Sequence, residues 1–396
     1  MTLETIDIEV EKEVLEEKTI GNLNVLIMGQ TGVGKSSLIN YIFDEDIRET
    51  GTGKPVTPKV FEGEFKKIND IPVTLIDSWG LEQGKDEEWQ SLLNDFMKNH
   101  STEQKVEDWV HVVLFCINAS SNRIQDFEIN IINDFLSKKM EVVVALTKSA
   151  LCSPDTLAEM KNALQKETNG ELTVVPVNSK KETLFGGMEI QQFGRDEISK
   201  AMRGNYLNML RLRLPERMDI LLKNKIQTYA EEIKECKKTN DAIELATQYS
   251  KSFWQEDIEQ TIQSELRDAL TSYVQVHAIT INGKEYEREA INYKTIINRL
   301  TQINKGSTDD STKNMLLSIL SILKNKVNLP VLTIATAATL YKSISGSPAD
   351  IAEEFLEMMH SELLKNQRNL DQVVLQMIEK TEKQFNQSTT MNGGHA

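Results

Sequence analysis

The residues GQTGVGKSS, at positions 29–37, match the pattern G-x-x-x-x-G-K-[ST]. Glycines at these positions let the main chain curl closely around phosphate groups, so that successive N–H groups face the negative charge. Lys35 would add a point charge at the β- and γ-phosphates, and the hydroxyl of Ser36 would bind Mg²⁺. The motif predicts a nucleoside-triphosphate site, and a purely structural glycine-rich turn is the alternative. The predicted ligands are Gly29, Gln30, Thr31, Gly32, Val33, Gly34, Lys35, Ser36 and Ser37.

A second motif, IDSWG at positions 76–80, ends an apolar run. An aspartate at the carboxyl end of a buried strand is well placed to hold Mg²⁺ through water, which makes Asp77 a candidate metal ligand. The N–H of Gly80 could then contact the γ-phosphate. The alternative is an ordinary turn at the end of a strand.

The segment between these motifs, ETGTGKPVTPKV at positions 49–60, is rich in Gly, Thr and Pro and is therefore predicted to be a loop. A threonine hydroxyl of this loop would complete the Mg²⁺ shell. Thr57 is preferred to Thr52 because it lies closer to the next strand. The sequence thus assigns the catalytic contacts to Lys35, Thr57 and Gly80, and the metal contacts to Ser36, Thr57 and Asp77.

Short apolar runs that alternate with helical segments position these motifs. Runs rich in Val, Ile and Leu indicate buried parallel strands joined by helical crossovers; they lie at 23–28, 73–78, 111–118, 142–147 and 172–178. Residues 60–68 alternate in polarity instead, which predicts an edge strand antiparallel to the run at 73–78. The predicted fold is therefore α/β, a mostly parallel mixed sheet covered by helices.

Beyond residue 200 the strand pattern gives way to helical periodicity at 206–226, 253–274 and 351–385. We expect an N-terminal helical extension at 1–20, a nucleotide-binding domain at 21–200, a helical domain at 201–386 and a disordered tail at 387–396. Asn282-Gly283 is a hairpin signal.

Two segments of the C-terminal half have unusual charge. Residues 201–226 carry six basic side chains, which favour a solvated helix face against the acidic first domain over a phosphate or lipid contact. Residues 327–341 carry no charge, but they are too few to span a bilayer as one helix. A buried core helix is the preferred interpretation, and a peripheral membrane contact is the alternative.

Bulk composition limits the class of protein. The chain has 396 residues, 27% of them charged, and a net charge of −15, which argues for a folded two-domain protein and against a nucleic-acid partner. Three widely spaced cysteines suggest neither a disulfide framework nor a zinc site, and they fit a reducing compartment. The N-terminus lacks the basic and apolar regions of a signal peptide. We expect a cytoplasmic protein, with peripheral membrane association left open.

The order of these motifs resembles that of Era-like P-loop GTPases of the TRAFAC class, relatives of immunity-related and dynamin-like GTPases. The resemblance covers about residues 22–200 and implies Mg²⁺ as cofactor and GTP or GDP as ligand. It also implies that Thr147 and Lys148, in LTKSALCSP, and Ser179 and Lys180, in VNSKKE, contact the base.

Two residues depart from that family's pattern. Leu81 follows DSWG, where Ras-like members carry the glutamine that orients the attacking water. Ala150 replaces the aspartate that recognises guanine, and Asp155 lies five residues further along. The resemblance therefore implies slow hydrolysis, completed by another residue, a cation or a homodimer partner, and relaxed base specificity.

The expected function is a nucleotide switch that a C-terminal helical domain reports to an unidentified protein partner. Two alternatives remain open at this stage. One is a dynamin-like or immunity-type GTPase that oligomerises on membranes, and the other is a nucleotide-binding scaffold with negligible turnover.

Overall fold

The structure of the chain, a computed structural model, describes residues 23–44, 61–68, 71–78, 86–170, 172–183, 189–204, 206–276 and 346–391. Six strands form one sheet with the order β2-β3-β1-β4-β5-β6. They are β1 Leu23–Met28, β2 Phe61–Ile68, β3 Ile71–Ser78, β4 Val112–Asn118, β5 Glu141–Thr147 and β6 Thr173–Pro176. Only β2, at the edge, is antiparallel to its neighbour. The sheet confirms the predicted parallel strands and the predicted edge strand.

Helices cover both faces of this sheet. They are α1 Lys35–Phe43, α2 Asp86–Lys98, α3 Asp126–Ser137, α4 Pro154–Glu167 and α5 Arg195–Gly204. In β1, Val25 and Ile27 face a core shared with α1 and α5, whereas Leu26 and Met28 face a core shared with α2, α3 and α4. A strand that is covered on both sides must be apolar throughout, which is why β1 reads as an unbroken apolar run.

The C-terminal part is helical, as predicted. It contains α6 Tyr206–Lys234, α7 Thr239–Ser252, a π-helical turn Phe253–Asp257, α8 Ile258–Val276 and α9 Pro348–Met391. Both α8 and α9 pack on α6, and α9 also packs on α7. Pro215 lies inside α6 without ending it. Helix α7 lies outside the segments with predicted helical periodicity.

Among the described residues, the helical part packs into the hydrophobic core on the α1 and α5 face of the sheet and forms no core of its own. Trp109 and Val112, at the amino end of β4, belong to the same buried cluster as residues of α6, α8 and α9. The expected domain boundary between residues 200 and 201 falls inside α5, which packs against β5 and β6. The helix belongs with the sheet because Ile198 and Met202 are buried in this cluster. Helix α5 therefore continues across the expected boundary.

Two arginines of α6 fasten the helical part to the segment before β4. Arg213 Nη1 donates to the Val110 carbonyl at 2.7 Å, and its guanidinium lies 4.6 Å from the centroid of the Trp109 ring. Arg217 Nη1 donates to the Glu103 carbonyl at 2.7 Å. Burial lowers the pKa of Arg213 to about 10. The expectation of a solvated basic face is wrong for these two side chains, because main-chain carbonyls replace water as their partners.

A buried histidine completes this junction. His111 Nδ1 accepts a hydrogen bond from the Asn24 N–H at 2.9 Å, so Nε2 carries the proton and donates to the Val106 carbonyl at 2.8 Å. Burial lowers the pKa of His111 to about 3, which keeps the ring neutral. The ring centroid lies 5.1 Å from that of Tyr206, whose hydroxyl donates to Ser272 Oγ at 2.6 Å. The start of β1 is thereby tied to α6 and α8.

Helix α9 extends to Met391, so the tail expected from residue 387 begins within a helix. Once a helix is formed, each added residue gains a main-chain bond at little further cost, which lets α9 continue through a polar sequence. No helix among the described residues is long and apolar enough to cross a bilayer. The predicted extension at 1–20, the hairpin signal at 282–283 and the uncharged segment 327–341 lie outside the described residues.

Candidate nucleotide-binding site

The glycine-rich loop joins β1 directly to α1. Gly29 has φ of 140°, and a Cβ on this residue would lie 2.4 Å from the Cys116 carbonyl oxygen of β4. Gly34, the N-cap of α1, has φ of 109°. Residues other than glycine are strained at these positive φ values. The loop can therefore pass this close to β4 only with glycine at position 29.

The N-terminus of α1 presents main-chain donors without a side-chain cap. The first intrahelical bond runs from the Leu38 N–H to the Gly34 carbonyl at 2.9 Å. The N–H groups of residues 35–37 precede that bond and have no carbonyl to accept them within the helix. No acidic residue lies in this first turn. The N-terminus of α1 is therefore better suited to bind an anion than to bond with another group of the chain.

Lys35 places its ammonium group inside the loop. Its Nζ donates to the Gly29 carbonyl at 2.7 Å and to the Gln30 carbonyl at 3.1 Å. Burial lowers the pKa of Lys35, and the nearby carboxylate of Asp77 opposes that shift. Burial also raises the pKa of Cys116 to about 12, so this neighbouring thiol is neutral. A partly desolvated cation at this position interacts strongly with phosphate because little water screens it.

Asp77, the predicted metal ligand, lies beside the loop. It is the penultimate residue of β3 and pairs in register with Ile27 of β1. Its carboxylate is close enough to Lys35 to influence that residue's pKa. Together with the hydroxyl of Ser36 in the first turn of α1, it forms a set of hard oxygen donors of the kind that Mg²⁺ prefers. The donor set therefore fits a magnesium ion that is also held by phosphate oxygens.

Thr147 and Lys148, predicted to contact the base, bind the glycine-rich loop. Thr147 Oγ1 lies 2.6 Å from the Val33 carbonyl and 3.1 Å from the Ile117 carbonyl, between which it shares its one proton. Lys148 Nζ donates to the Gly32 carbonyl at 3.1 Å. The end of β5 is thus hydrogen-bonded to the loop at two successive residues.

Ala150 lies in a short 3-10 turn, Ser149–Leu151, directly after this contact. Ser149 Oγ donates to the Leu146 carbonyl at 2.6 Å and fixes the turn on β5. Asp155 lies in the first turn of α4, is exposed, and follows the capping residue Ser153. The structure therefore does not bring Asp155 into the turn as a replacement for the missing acid.

Ser179 and Lys180 lie in the loop after β6, as expected, but the contacts that hold this loop were not foreseen. Two short strands, β7 Glu182–Thr183 and β8 Glu189–Ile190, pair beyond it. Asn178 Nδ2 donates to the carbonyls of Lys180 at 2.7 Å and Gln191 at 3.0 Å, and Gln192 Nε2 donates to the Ser179 carbonyl at 2.8 Å. The turn signal Gly186-Gly187 could have indicated the hairpin.

The structure thus brings together the loop 29–37, Asp77 and the pair Thr147 and Lys148. The loop 178–180 follows Val177, whose carbonyl accepts from the Ser149 N–H. Thr57 and Gly80, the other predicted catalytic and metal contacts, lie outside the described residues.

Comparison with known proteins shows what the part of the chain that contains this site is similar to. The sequence model of a family described as "50S ribosome-binding GTPase" matches residues 24–148, from β1 to the lysine that follows β5. Residues 24–148 therefore have the fold of a P-loop GTPase domain. The match ends before the loop 178–180 and before the helical part. It therefore says nothing about the role of either segment.

Individual relatives match only part of this chain. Neuronal-specific septin-3 of Danio rerio is 25% identical over 191 residues, 41% of this chain and 52% of the septin. Translocase of chloroplast 108 of Physcomitrium patens is 46% identical over 66 residues, 17% of this chain and 6% of the translocase. The chain therefore spans about half, or less, of the length of these curated relatives.

A solved structure of Era, in complex with MgGDPNP and nucleotides 1506–1542 of 16S ribosomal RNA, shares 20% identity with this chain. It covers 41% of this chain and 52% of the Era chain, with a TM-score of 0.32. Because septin and chloroplast translocase sequences match this chain, the Era-like branch is not singled out among P-loop GTPases.

Proposed function

We propose that this protein is a Mg²⁺-dependent GTP-binding switch that hydrolyses GTP slowly and whose state is transmitted to the helical domain. The contact between β5 and the glycine-rich loop carries this proposal. Thr147 and Lys148 hold the loop through the carbonyls of Val33 and Gly32, so the loop that would bind phosphate is hydrogen-bonded to the segment that would contact the base.

Different residues of the site would bind the phosphates and the metal ion. The N–H groups at the start of α1 and the ammonium of Lys35 would bind the phosphates. Ser36 and Asp77 would hold Mg²⁺, which neutralises charge on the β- and γ-phosphates when it is bound. Thr57 would complete the metal shell, and the Gly80 N–H would contact the γ-phosphate.

Slow hydrolysis is proposed because Leu81 cannot orient water. A leucine side chain has neither a donor nor an acceptor, so the attacking water must be positioned by another group. A second copy of the chain is one source of such a group, and its contribution would make turnover depend on protein concentration.

Transmission to the helical domain is proposed through β3 and α8. Asp77 lies near the carboxyl end of β3, and α8 packs against β3 and against the turn at 106–108. Arg217 of α6 joins that segment to α8 through Glu265, with 3.3 Å between Nε and Oε2. A change in β3 on γ-phosphate binding would therefore reach helices that are held to the sheet by buried polar contacts.

Nucleotide binding and turnover, measured across protein concentration, test this proposal. Lys35→Ala should weaken GTP binding by about 10- to 150-fold, the equivalent of about 1.5–3 kcal/mol for hydrogen bonds to a charged group. Lys138→Ala, which removes an exposed cation of α3, is the matched control and should leave binding unchanged. Absence of GTP binding in the presence of Mg²⁺ would refute the proposal.

The same experiment separates a switch from a scaffold. GTP that binds without phosphate release at any protein concentration would favour the scaffold with negligible turnover. A rate per subunit that rises with concentration would show that a second subunit completes the site.

A further inference from the structure

The connection between α2 and β4, residues 99–111, is bonded both to the sheet and to the helical part. It lies at the edge of the sheet where β4 begins. The glycine-rich loop follows β1, which is parallel to β4, and therefore lies at the opposite edge. Strands of this length separate the two edges by about 20 Å. The connection can thus influence a bound nucleotide only through other elements.

The first half of the connection is fixed to the end of α2. The ring of His100 is stacked on that of Phe96, with 4.1 Å between the centroids, and His100 Nδ1 lies 2.9 Å from the Phe96 carbonyl. Ser101 Oγ donates to the Lys98 carbonyl at 3.2 Å. The Gln104 N–H then donates to the Ser101 carbonyl at 2.9 Å. The turn after α2 is therefore an extension of that helix.

The second half is fixed to β1. Asn24 Nδ2 donates to the carbonyls of Glu107 and Trp109, at 2.8 Å in each case. The His111 N–H donates to the Asn24 carbonyl at 2.9 Å. Strand β1 lies between β3 and β4 and is buried along its whole length, so this half is held by the centre of the sheet.

Each half is bound by one buried arginine of α6. Arg217 Nη1 donates to the Glu103 carbonyl at 2.7 Å and lies 3.4 Å from the Thr102 carbonyl, in the turn after α2. Arg213 Nη1 donates to the Val110 carbonyl, also at 2.7 Å, in the half that is fixed to β1. The two contacts have the same kind of donor and acceptor and the same length. Only the contact of Arg217 holds the turn that extends α2.

Helix α2 is the first described element after the proposed γ-phosphate contact, since it begins six residues beyond Gly80. Binding of GTP through the Gly80 N–H would restrict this segment to one position, which costs conformational entropy. A helix that is already held at its other end loses less entropy when the γ-phosphate fixes it. GDP has no γ-phosphate and gains nothing from this restraint. The contact of Arg217 should therefore favour GTP over GDP.

We propose that Arg217 is a positioning residue through which the helical domain regulates the nucleotide site, by holding α2 where the γ-phosphate contact requires it. This rests on the proposed function, because it concerns the relative affinities of the loop 29–37 for GTP and GDP. Coupling between two sites is reciprocal. A partner that draws α6 or α8 away from the turn after α2 therefore lowers the affinity for GTP relative to GDP.

Competition of GTPγS and of GDP against fluorescent GDP, in the presence of Mg²⁺, tests this coupling. The test variant is Arg217→Met/Glu265→Leu, which removes the bonds to the turn without leaving the carboxylate of Glu265 without its buried partner. GTPγS should lose at least about fivefold in affinity relative to GDP, the lower end of typical allosteric coupling. A purely structural role of Arg217 would weaken the binding of both nucleotides alike.

Arg213→Met is the matched control, because it removes an equally short bond from a buried arginine of the same helix to a main-chain carbonyl. It should lower the urea midpoint and keep the ratio of GTPγS to GDP affinity within about twofold of the unmodified protein, below the range of allosteric coupling. An equal loss of the ratio in Arg213→Met and in the test variant would overturn the role of Arg217.

His100→Ala tests the path through the turn, because it removes the ring that is stacked on α2. By itself it should lower the ratio, and added to the test variant it should change the ratio by less than about twofold, since effects along one path are not additive. If the test variant does not fold, His100→Ala decides alone. An unchanged ratio in a folded variant overturns the coupling, whereas failure of fluorescent GDP to bind the unmodified protein overturns the proposed function itself.

Discussion

Removal of Arg217 should break the junction between the GTPase domain and the helical domain. Its side chain is only 9% exposed and that of Glu265 is 13% exposed, with 3.3 Å between Nε and Oε2. Arg217 Nη1 also donates to the Glu103 carbonyl at 2.7 Å. Arg217→Met keeps most of the volume but leaves a buried carboxylate and a buried carbonyl without their donor.

The expected loss is large because both remaining groups are shielded from water. Breaking a buried ion pair by removing one partner costs about 3–5 kcal/mol of unfolding free energy. In the double variant Arg217→Met/Glu265→Leu the buried charge is gone, and mainly the Glu103 carbonyl remains unpaired, at about 1–3 kcal/mol. The single variant should therefore be less stable than the double variant.

The loss should grow with pH. Burial raises the pKa of Glu265 above 4.5, and Arg217 and Lys105 oppose this shift while Asp268 adds to it. Without Arg217 the folded-state pKa of Glu265 rises further. A group with a raised folded pKa contributes stability that is complete below the unfolded pKa and is lost as pH rises through the folded pKa. The difference between Arg217→Met and the unmodified protein should therefore be smaller near pH 4.5 than at neutral pH.

Urea unfolding of the full chain at several pH values measures both effects. The exposed i,i+4 pair of Lys223 and Asp219 on the same helix provides the control, and Lys223→Met should cost about 0.3–0.5 kcal/mol. The reasoning is refuted if Arg217→Met costs no more than this control. It is also refuted if the double variant is less stable than the single variant, or if the loss from Arg217→Met shrinks as pH rises.

Three further predictions concern the nucleotide site. Ala150→Asp should raise the preference for GTP over ITP by about tenfold, through a new bond to the 2-amino group that hypoxanthine lacks, with tripolyphosphate affinity unchanged in competition assays. Gly29→Ala should abolish GTP binding, because its Cβ would lie 2.4 Å from the Cys116 carbonyl; retained binding in a titration would contradict the loop geometry. Thr147→Val should lower the unfolding free energy by about 1–3 kcal/mol, since it removes the donor to the Val33 carbonyl; an unchanged urea midpoint would argue against that bond.

Much of the sheet and of the phosphate site could be predicted because their signals are local. A buried parallel strand needs an apolar run of a few residues, and the apolar runs at 23–28, 73–78 and 142–147 lie in the strands β1, β3 and β5. The prediction of a solvated helix face at 201–226 is wrong for Arg213 and Arg217. It followed the rule that a charged side chain on a helix is normally exposed. Their burial depends on carbonyls that precede β4, and residue type does not reveal that pairing.

The sequence by itself determined the chemistry of the phosphate site, because strand, glycine loop, Lys35 and helix N-terminus are contiguous and their geometry follows from local backbone preferences. The tertiary structure decided which distant residues form hydrogen bonds with the glycine loop and with the helical part. Thr147 reaches the Val33 carbonyl across 114 residues, and Arg213 reaches the Val110 carbonyl across 103. Every residue offers the same main-chain carbonyl, whatever its side chain, so the residue type does not reveal which carbonyl will be the partner. Only the packing of sheet and helices selects it.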